Sequence, residues 1–172
     1  MKHTFTLVLV LLFSGCANPL NRVTYERYTD AGDSALAAGD FARAEAAYVR
    51  AAYNVDWGLL GDAAKSGSLF NLANAKLRLG KFAEVEPLLL ESIRLEEKLG
   101  NKGDERMQKR YIGLSIVYLE LGQIDKGLPY LRKTLPYADN PGFPGLKTRS
   151  YPAYVKKLDA LGRTQEADEF RK

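Results

Sequence analysis

The sequence predicts an all-α protein in which pairs of helices repeat along the chain, an α-solenoid. Three segments of similar sequence begin at Leu36, Leu77 and Leu119, and a fainter fourth begins at Leu158. The glycines that align between them are Gly39, Gly80, Gly122 and Gly162. They recur at intervals of 41, 42 and 40 residues, and a fixed period of this length is typical of solenoids. No alternation of polar and apolar residues long enough for a strand is present.

The first element is an expected export signal, residues 1–15. A positively charged start, a short apolar run and two small residues precede the only cysteine, Cys16, which is the order of a cleaved signal. The stretch Phe-Ser-Gly-Cys resembles the lipobox of bacterial lipoproteins, although phenylalanine stands where leucine is commoner. The resemblance implies cleavage before Cys16 and acylation of that residue. Several acyl chains would anchor the protein stably in a membrane.

The residue after Cys16 bears on the location of the protein. Aspartate at that place retains bacterial lipoproteins at the inner membrane, whereas this chain has Ala17. The resemblance therefore implies a protein anchored to the outer membrane and facing the periplasm. Alternatively, Cys16 is incidental and the chain is cut after Ala17, which would release a secreted protein.

The remainder divides into a tether and a repeat domain. Residues 16–24 are interpreted as the acylated N-terminus and tether, because no strong helical pattern of apolar residues is visible there. The repeat domain covers residues 25–172. Its units are expected at about 25–58, 66–99, 108–141 and 148–172. Each unit should be two helices joined at its glycine, with small residues such as Gly32 at close contacts and large ones such as Tyr48 filling gaps.

These units resemble the tetratricopeptide repeat family over essentially the whole mature chain. The matching residues are Gly32, Gly39, Ala44, Tyr48 and Ala51 in the first unit, Leu72, Ala73, Gly80 and Phe82 in the second, and Leu114, Tyr118 and Gly122 in the third. The third unit departs at Gly127, where the family usually has alanine. The period exceeds the family's usual length of about 34 residues and is similar to the longer repeats of kinesin light chains. The resemblance implies three helix hairpins and a degenerate fourth pair, acting as a scaffold.

Residues that carry conventional catalysis are scarce. The only histidine, His3, lies in the expected signal, so the mature chain would lack an imidazole. No nucleophile elbow, zinc-protease motif or phosphate-binding loop occurs. Adjacent acidic residues such as Glu96 and Glu97 are interpreted as a solvated helix face, because neighbouring helix positions do not face each other. The sequence therefore predicts no enzyme, no cofactor and no metal site.

The charge distribution bears on the class of partner. The net charge is +4, and basic residues are interleaved with acidic ones along the chain. Nucleic-acid-binding proteins instead concentrate their basic residues on one face. Nucleic acid is therefore not expected as a partner.

In the tetratricopeptide repeat family, the first helices of successive units line a concave groove that binds peptides. The resemblance places this groove at Phe70, Asn71, Asn74, Lys109, Ile112 and Ile116. The two asparagine amides would hold an extended peptide backbone, because each carries a donor and an acceptor. Phe70 and the isoleucines would form apolar pockets. Alternatively, these side chains pack within the chain. Asp33 in the first unit disfavours a ligand held by its C-terminal carboxylate.

Three further features admit two interpretations each. Trp57 is expected to plug the junction between units, with an interface anchor as the alternative. Phe143, in a stretch rich in proline and glycine, is expected to pack on the core and not to be an exposed contact. Four basic residues near the start of the third unit are interpreted as a solvated face, with contact to anionic headgroups as the alternative. They are Lys102, Arg106, Lys109 and Arg110.

Together these features favour a membrane-anchored adaptor that binds another envelope protein or peptide. The alternative is a structural subunit of an outer-membrane secretion, pilus or wall-assembly complex, held by extended interfaces. A third hypothesis is an accessory protein that binds glycan. It would need stacked aromatic residues in the groove, where the first two units place only Phe70.

Overall fold

A computed structural model describes residues 18–101 and 103–171, and within these ranges the chain forms helices and turns but no strand. The α-helices are α1 (Pro19–Ala37), α2 (Phe41–Trp57), α3 (Asp62–Arg78), α4 (Phe82–Lys98), α5 (Glu105–Glu120), α6 (Ile124–Arg132), α7 (Tyr151–Ala160) and α8 (Thr164–Asp168). The prediction of an all-α fold is confirmed.

The helices pack in consecutive pairs. Helix α1 packs on α2, α3 on α4, α5 on α6, and α7 on α8, while α2 also packs on α3 and α4 on α5. The first three pairs therefore contact one another in order, and the last pair joins α6 of the third through an apolar cluster, an arrangement like that of an α-solenoid. No helix of the described ranges combines the length and the apolar composition that a membrane crossing requires.

The turn inside each pair is built in the same way. Gly39, Gly80, Gly122 and Gly162 all have positive φ angles, between 70° and 77°. In the first turn, Gly39 N–H donates to the Leu36 carbonyl and Asp40 N–H donates to the Ala35 carbonyl. This pair of bonds closes a helix when the residue after its cap takes the left-handed conformation that glycine adopts freely. The aligned glycines of the sequence therefore end helices α1, α3, α5 and α7.

The first helix begins earlier than the sequence analysis expected. The tether assigned to residues 16–24 is wrong for residues 19–24, which form the first turns of α1. Asn18 caps this helix, since its side chain accepts a hydrogen bond from Leu20 N–H at 3.0 Å, and Pro19 occupies the first helical position, where its missing N–H is tolerated. Asn18 N–H also donates to the Gly58 carbonyl at 3.1 Å, which places the start of α1 beside the end of α2.

Small residues lie where paired helices approach, as predicted. Gly32 is buried, and a Cβ added there would overlap the ring of Tyr48. The departure from the family pattern at Gly127 has the same cause. A Cβ at Gly127 would overlap the hydroxyl of Tyr154, which donates to the Ser115 carbonyl at 2.6 Å. The glycine leaves room for a tyrosine from the last helix pair.

The C-terminal part departs from the regular pattern. Helix α6 has 9 residues, whereas α2 and α4 have 17 each. A 3-10 turn at Leu135–Tyr137 and a π-helical segment at Leu146–Ser150 then lead into α7. Phe143 is buried in the apolar cluster formed by α6, α7 and α8, so the prediction that it packs on the core is confirmed.

Candidate functional site

The centre of the candidate site is a cavity between α3 and α5. It has a volume of about 440 Å³. Five of the six predicted groove residues line it: Phe70, Asn74, Lys109, Ile112 and Ile116. They meet because each helix presents one face to the cavity, at positions three or four residues apart. We call this space the central cavity.

The sixth predicted residue, Asn71, is not among the residues that line the central cavity. It follows Phe70 directly, and one residue along a helix turns the side chain by about 100°. Asn71 is half-buried. Only Asn74 of the two amides thus faces the space where a ligand would lie.

Two further cavities continue the central cavity at its ends. Towards the N-terminus, a cavity of about 450 Å³ shares Asn74 and Arg78 with it and extends to Asp33 and Leu36 of α1. Towards the C-terminus, a cavity of about 340 Å³ shares Ile112, Ile116 and Arg149 with it and is closed by Leu119, Phe143, Leu146 and Ala153. The three cavities form one groove along the first helices of successive units, hereafter called the groove.

The charged side chains that line the central cavity are all basic. Arg78, Lys109 and Arg149 line it, and no carboxylate does. Carboxylates appear only in the flanking cavities, as Asp33 on one side and Glu120 on the other. The Asp33 carboxylate accepts a hydrogen bond from the Tyr48 hydroxyl at 2.6 Å.

Arg78 and Arg149 were not among the groove residues predicted from the sequence. Arg78 lies one helical turn after Asn74, so helical spacing alone was enough to place it on this face. Arg149 lies in the π-helical segment, about forty residues after Lys109, and no local pattern brings it there. The guanidinium of Arg78 lies over the Phe41 ring, 4.9 Å from its centroid.

A buried ion pair lies beneath Phe70, one of the side chains that line the central cavity. Arg110 of α5 and Glu96 of α4 are each 2% exposed, and an Arg110 Nη2–Glu96 Oε1 distance of 2.9 Å joins them. The Arg110 guanidinium also donates to the hydroxyls of Ser92 and Ser66, at 2.7 Å and 2.9 Å. It lies 4.9 Å from the centroid of the Phe70 ring. We call Ser66, Ser92, Glu96 and Arg110 the polar junction.

The polar junction corrects two interpretations of the sequence. Arg110 belongs neither to a solvated face nor to a headgroup-binding surface, because its charge is enclosed by three helices. Glu96 is likewise not on a solvated face. Lys109, one residue before Arg110, is exposed and pairs with Glu105 at 2.7 Å, as expected of a surface residue.

The ionisation of Glu96 reflects these contacts. Burial by itself would raise the pKa of this carboxyl, but the hydrogen bonds from Ser66 and Asn101 and the charge of Arg110 outweigh burial. The pKa of Glu96 therefore lies below its ordinary value of 4.5. The polar junction is a charged pair at neutral pH, so its contribution to stability depends on both partners being present.

A second surface lies at the end of the first helix pair. The prediction that Trp57 plugs a junction between units is wrong, since Trp57 is 69% exposed. Leu59 is 71% exposed, and Leu20, in the first turn of α1, is 75% exposed. The ring of Tyr53 lies against that of Trp57, with 5.6 Å between the centroids. We call Leu20, Val23, Tyr53, Trp57 and Leu59 the N-terminal apolar patch.

The residues that the structure describes do not contain three or more acidic, cysteine or histidine side chains placed to hold a metal ion. The central cavity combines an apolar floor with one amide and three basic side chains. Cys16 and the expected signal lie outside the described residues, and their roles stay predictions.

No family model matches this chain, and no curated protein matches its sequence. The likeness to the tetratricopeptide repeat family therefore rests on the quoted residues and on the consecutive packing of helix pairs. It stays a prediction, whereas the solenoid-like packing is a property of the structure.

Proposed function

We propose that this protein is a membrane-anchored adaptor of the bacterial cell envelope whose groove binds an extended segment of another envelope protein. The observation that carries the proposal is the groove itself. It runs across the first helices of three successive units, and its central cavity combines Phe70, Ile112 and Ile116 with the amide of Asn74. Apolar pockets suit alternate side chains of an extended peptide, and an amide suits its backbone.

The charges of the groove indicate the kind of segment it would bind. Arg78, Lys109 and Arg149 surround the central cavity without a carboxylate in its lining. A segment that carries acidic side chains between apolar ones would be complementary to this arrangement. Asp33 at one end and Glu120 at the other would disfavour acidic groups there, so the acidic position should fall near the middle of the bound segment.

The membrane anchor is the second part of the proposal. Its support is the sequence alone: the lipobox-like stretch ending at Cys16, and Ala17, which favours the outer membrane. In this proposal, attachment depends on the acyl chains on Cys16. Replacing Cys16 by serine should move the protein from the membrane fraction to the soluble envelope fraction and abolish labelling with a fatty-acid analogue.

The groove is tested by crosslinking in the protein's own cells. We would compare the intact protein with Arg78→Glu/Lys109→Glu, which reverses two exposed charges of the central cavity. The matched control is Arg43→Glu/Lys126→Glu, which makes the same change of net charge on α2 and α6, away from the groove. Circular dichroism of each variant would verify that the helices are retained.

The expected result is a crosslinked partner that is lost in the Arg78/Lys109 variant and kept in the control. Its crosslinked segment should be extended and should contain acidic residues. A partner kept at full yield by both variants would contradict groove recognition and favour the structural-subunit hypothesis. The absence of any partner from the wild-type sample would contradict the adaptor proposal itself.

A further inference from the structure

The N-terminal apolar patch stands out from the rest of the described surface. Its members are 75% (Leu20), 71% (Leu59), 69% (Trp57), 65% (Val23) and 60% (Tyr53) exposed. These are the five most exposed large apolar side chains in the described ranges. Single exposed apolar residues are ordinary on proteins, but a group at one end of one helix pair indicates a contact surface.

The backbone at Leu59 gives an independent reason to regard the patch as functional. Helix α2 ends with the same pair of hydrogen bonds as the helices that end at the turn glycines, since Leu59 N–H donates to the Asp56 carbonyl and Leu60 N–H to the Val55 carbonyl. The left-handed position of this motif is held here by leucine, with a φ of 49°, and not by glycine. Leu59 is the only non-glycine residue with positive φ among the described residues.

A leucine in that conformation is disfavoured because its Cβ crowds the backbone. Glycine serves at the corresponding place of every other helix end built this way, namely Gly39, Gly80, Gly100, Gly122 and Gly162. The side chain of Leu59 gains little from packing, since most of it is exposed. Folding alone therefore gives no reason for leucine here, whereas a contact outside the chain would.

The position of the patch in the chain indicates which contact. Asn18 N–H donates to the carbonyl of Gly58, the residue between Trp57 and Leu59. Cys16 precedes Asn18 by two residues, and two residues span at most about 7 Å. With the 3.1 Å hydrogen bond between Asn18 and Gly58, an acyl group on Cys16 would thus be attached to the chain within about 10 Å of the backbone of Gly58, which lies between Trp57 and Leu59. Trp and Tyr are the side chains that prefer the membrane–water interface.

We propose that the N-terminal apolar patch lies in the interfacial layer of the bilayer that holds the acyl chains, so that the solenoid is docked on the membrane and not tethered at a distance. This inference rests on the proposed lipid anchor at Cys16. The charges near the patch are mixed, as in the ion pair of Lys65 with Asp56, so docking is apolar and does not require anionic lipid. Asp33 and Leu36 lie about 20 Å further along α1 than Leu20, which leaves the groove accessible.

Trp57 provides the measurement, because it is the only tryptophan of the chain. The acylated protein, isolated from its own membranes, would be placed in phosphatidylcholine vesicles with or without lipids that carry a bromine quencher. We expect the emission of Trp57 to shift to shorter wavelength, to be quenched by the brominated lipid and to be protected from aqueous acrylamide. Emission typical of water, with no quenching by lipid in protein that floats with the vesicles, would overturn the docking while leaving the anchor intact.

A second preparation separates this inference from the acylation hypothesis. Residues 16–172, which contain all the described structure, would be coupled through the single thiol of Cys16 to maleimide-bearing lipid. The same quenching is expected, whether or not cells acylate Cys16. If coupled protein shows none, the docking is wrong. Blue-shifted emission that grows with protein concentration in the absence of lipid would also overturn it, in favour of a second copy covering the patch.

Variants of exposed leucines make the test specific. Leu20→Ser/Leu59→Ser should lose the lipid quenching of Trp57, whereas Leu90→Ser/Leu161→Ser, which changes two exposed leucines outside the patch, should keep it. Leu59→Gly should weaken lipid quenching and yet raise the thermal midpoint of unfolding, because glycine relieves the left-handed backbone. Equal lipid quenching of Trp57 in the Leu20/Leu59 variant and in the Leu90/Leu161 variant would contradict a role for Leu20 and Leu59 in docking.

Discussion

The junction between the second and third helix pairs and the junction between the third and the last are built from different chemistry. The first contains the polar junction, with Arg110 and Glu96 buried as a charged pair. The second is closed by Tyr154, whose ring fills an apolar cluster and whose hydroxyl bonds to the Ser115 carbonyl. Both junctions contain a buried apolar cluster, but only the first adds a buried charged pair with its hydrogen bonds, whereas in the second a glycine makes room for a tyrosine ring.

This difference bears on the groove. Arg110 contacts Phe70 from below, so the polar junction fixes the floor of the central cavity as well as the packing of α3, α4 and α5. A buried ion pair contributes little net stability against an apolar substitute, but it is strongly unfavourable when one partner is missing. The helices are therefore stably packed only when Arg110 contacts Glu96. This contact sets the relative position of the helices that line the groove.

The largest expected effect is the loss of one charge from the polar junction. Arg110→Met should lower the free energy of unfolding by about 3–5 kcal/mol, because it leaves the Glu96 carboxylate buried without its partner. Urea unfolding followed by circular dichroism measures this. The control is Arg106→Met, which removes an exposed arginine paired with Asp104 and should change the free energy by less than about 1 kcal/mol. Equal losses in the two variants would show that burial of the pair is unimportant.

The second effect probes shape at the other junction. Gly127→Ala should lower the free energy of unfolding by about 1–3 kcal/mol, since the added methyl overlaps the Tyr154 hydroxyl and packed cores resist added volume. Tyr154→Phe removes that hydroxyl, so the double variant should lose less than the sum of the single losses. Gly145→Ala is the control, because no atom lies within 4 Å of its added Cβ. If the losses of unfolding free energy simply add in the double variant, the added methyl at residue 127 does not contact the Tyr154 hydroxyl.

The apolar parts of the structure were the predictable ones. The turn glycines, the close approach of Gly32 to Tyr48 and the burial of Phe143 all follow from residue size and spacing, which the sequence displays. The start of α1 was predictable too, since Asn18 and Pro19 form a recognisable helix start, but the absence of an apolar stripe hid it. Five of the six residues that the family resemblance suggested for the groove line the central cavity and Asn71 does not, and their role in binding a peptide stays a prediction.

The polar and functional parts were less predictable. A charged residue on a helix is expected at the surface, so nothing in the sequence distinguishes buried Arg110 from exposed Arg106, four residues before it. Only the packing of α5 against both α3 and α4 reveals the difference. Arg149 reaches the central cavity through an irregular segment that carries no periodic pattern. Trp57 was expected inside because large aromatic residues usually are, and its exposure became visible only in the structure.

The smallest expected effect is the loss of stability when Glu96 becomes protonated. It distinguishes the two junctions, because the Tyr154 hydroxyl does not titrate in the acid range. The pKa of Glu96 is lower in the folded protein than its ordinary value of 4.5. The carboxylate therefore contributes stability above that value, and the contribution is lost as the pH falls through the lowered pKa.

Other carboxylates also titrate there, so the quantity to measure is the difference in unfolding free energy between wild type and Glu96→Gln, from neutral pH down to about pH 3. This difference should be constant near neutrality and shrink on the acid side, whereas for Tyr154→Phe it should stay flat. A difference for Glu96→Gln that does not change with pH would mean that the carboxyl group is not held as an anion by Arg110 and its neighbours.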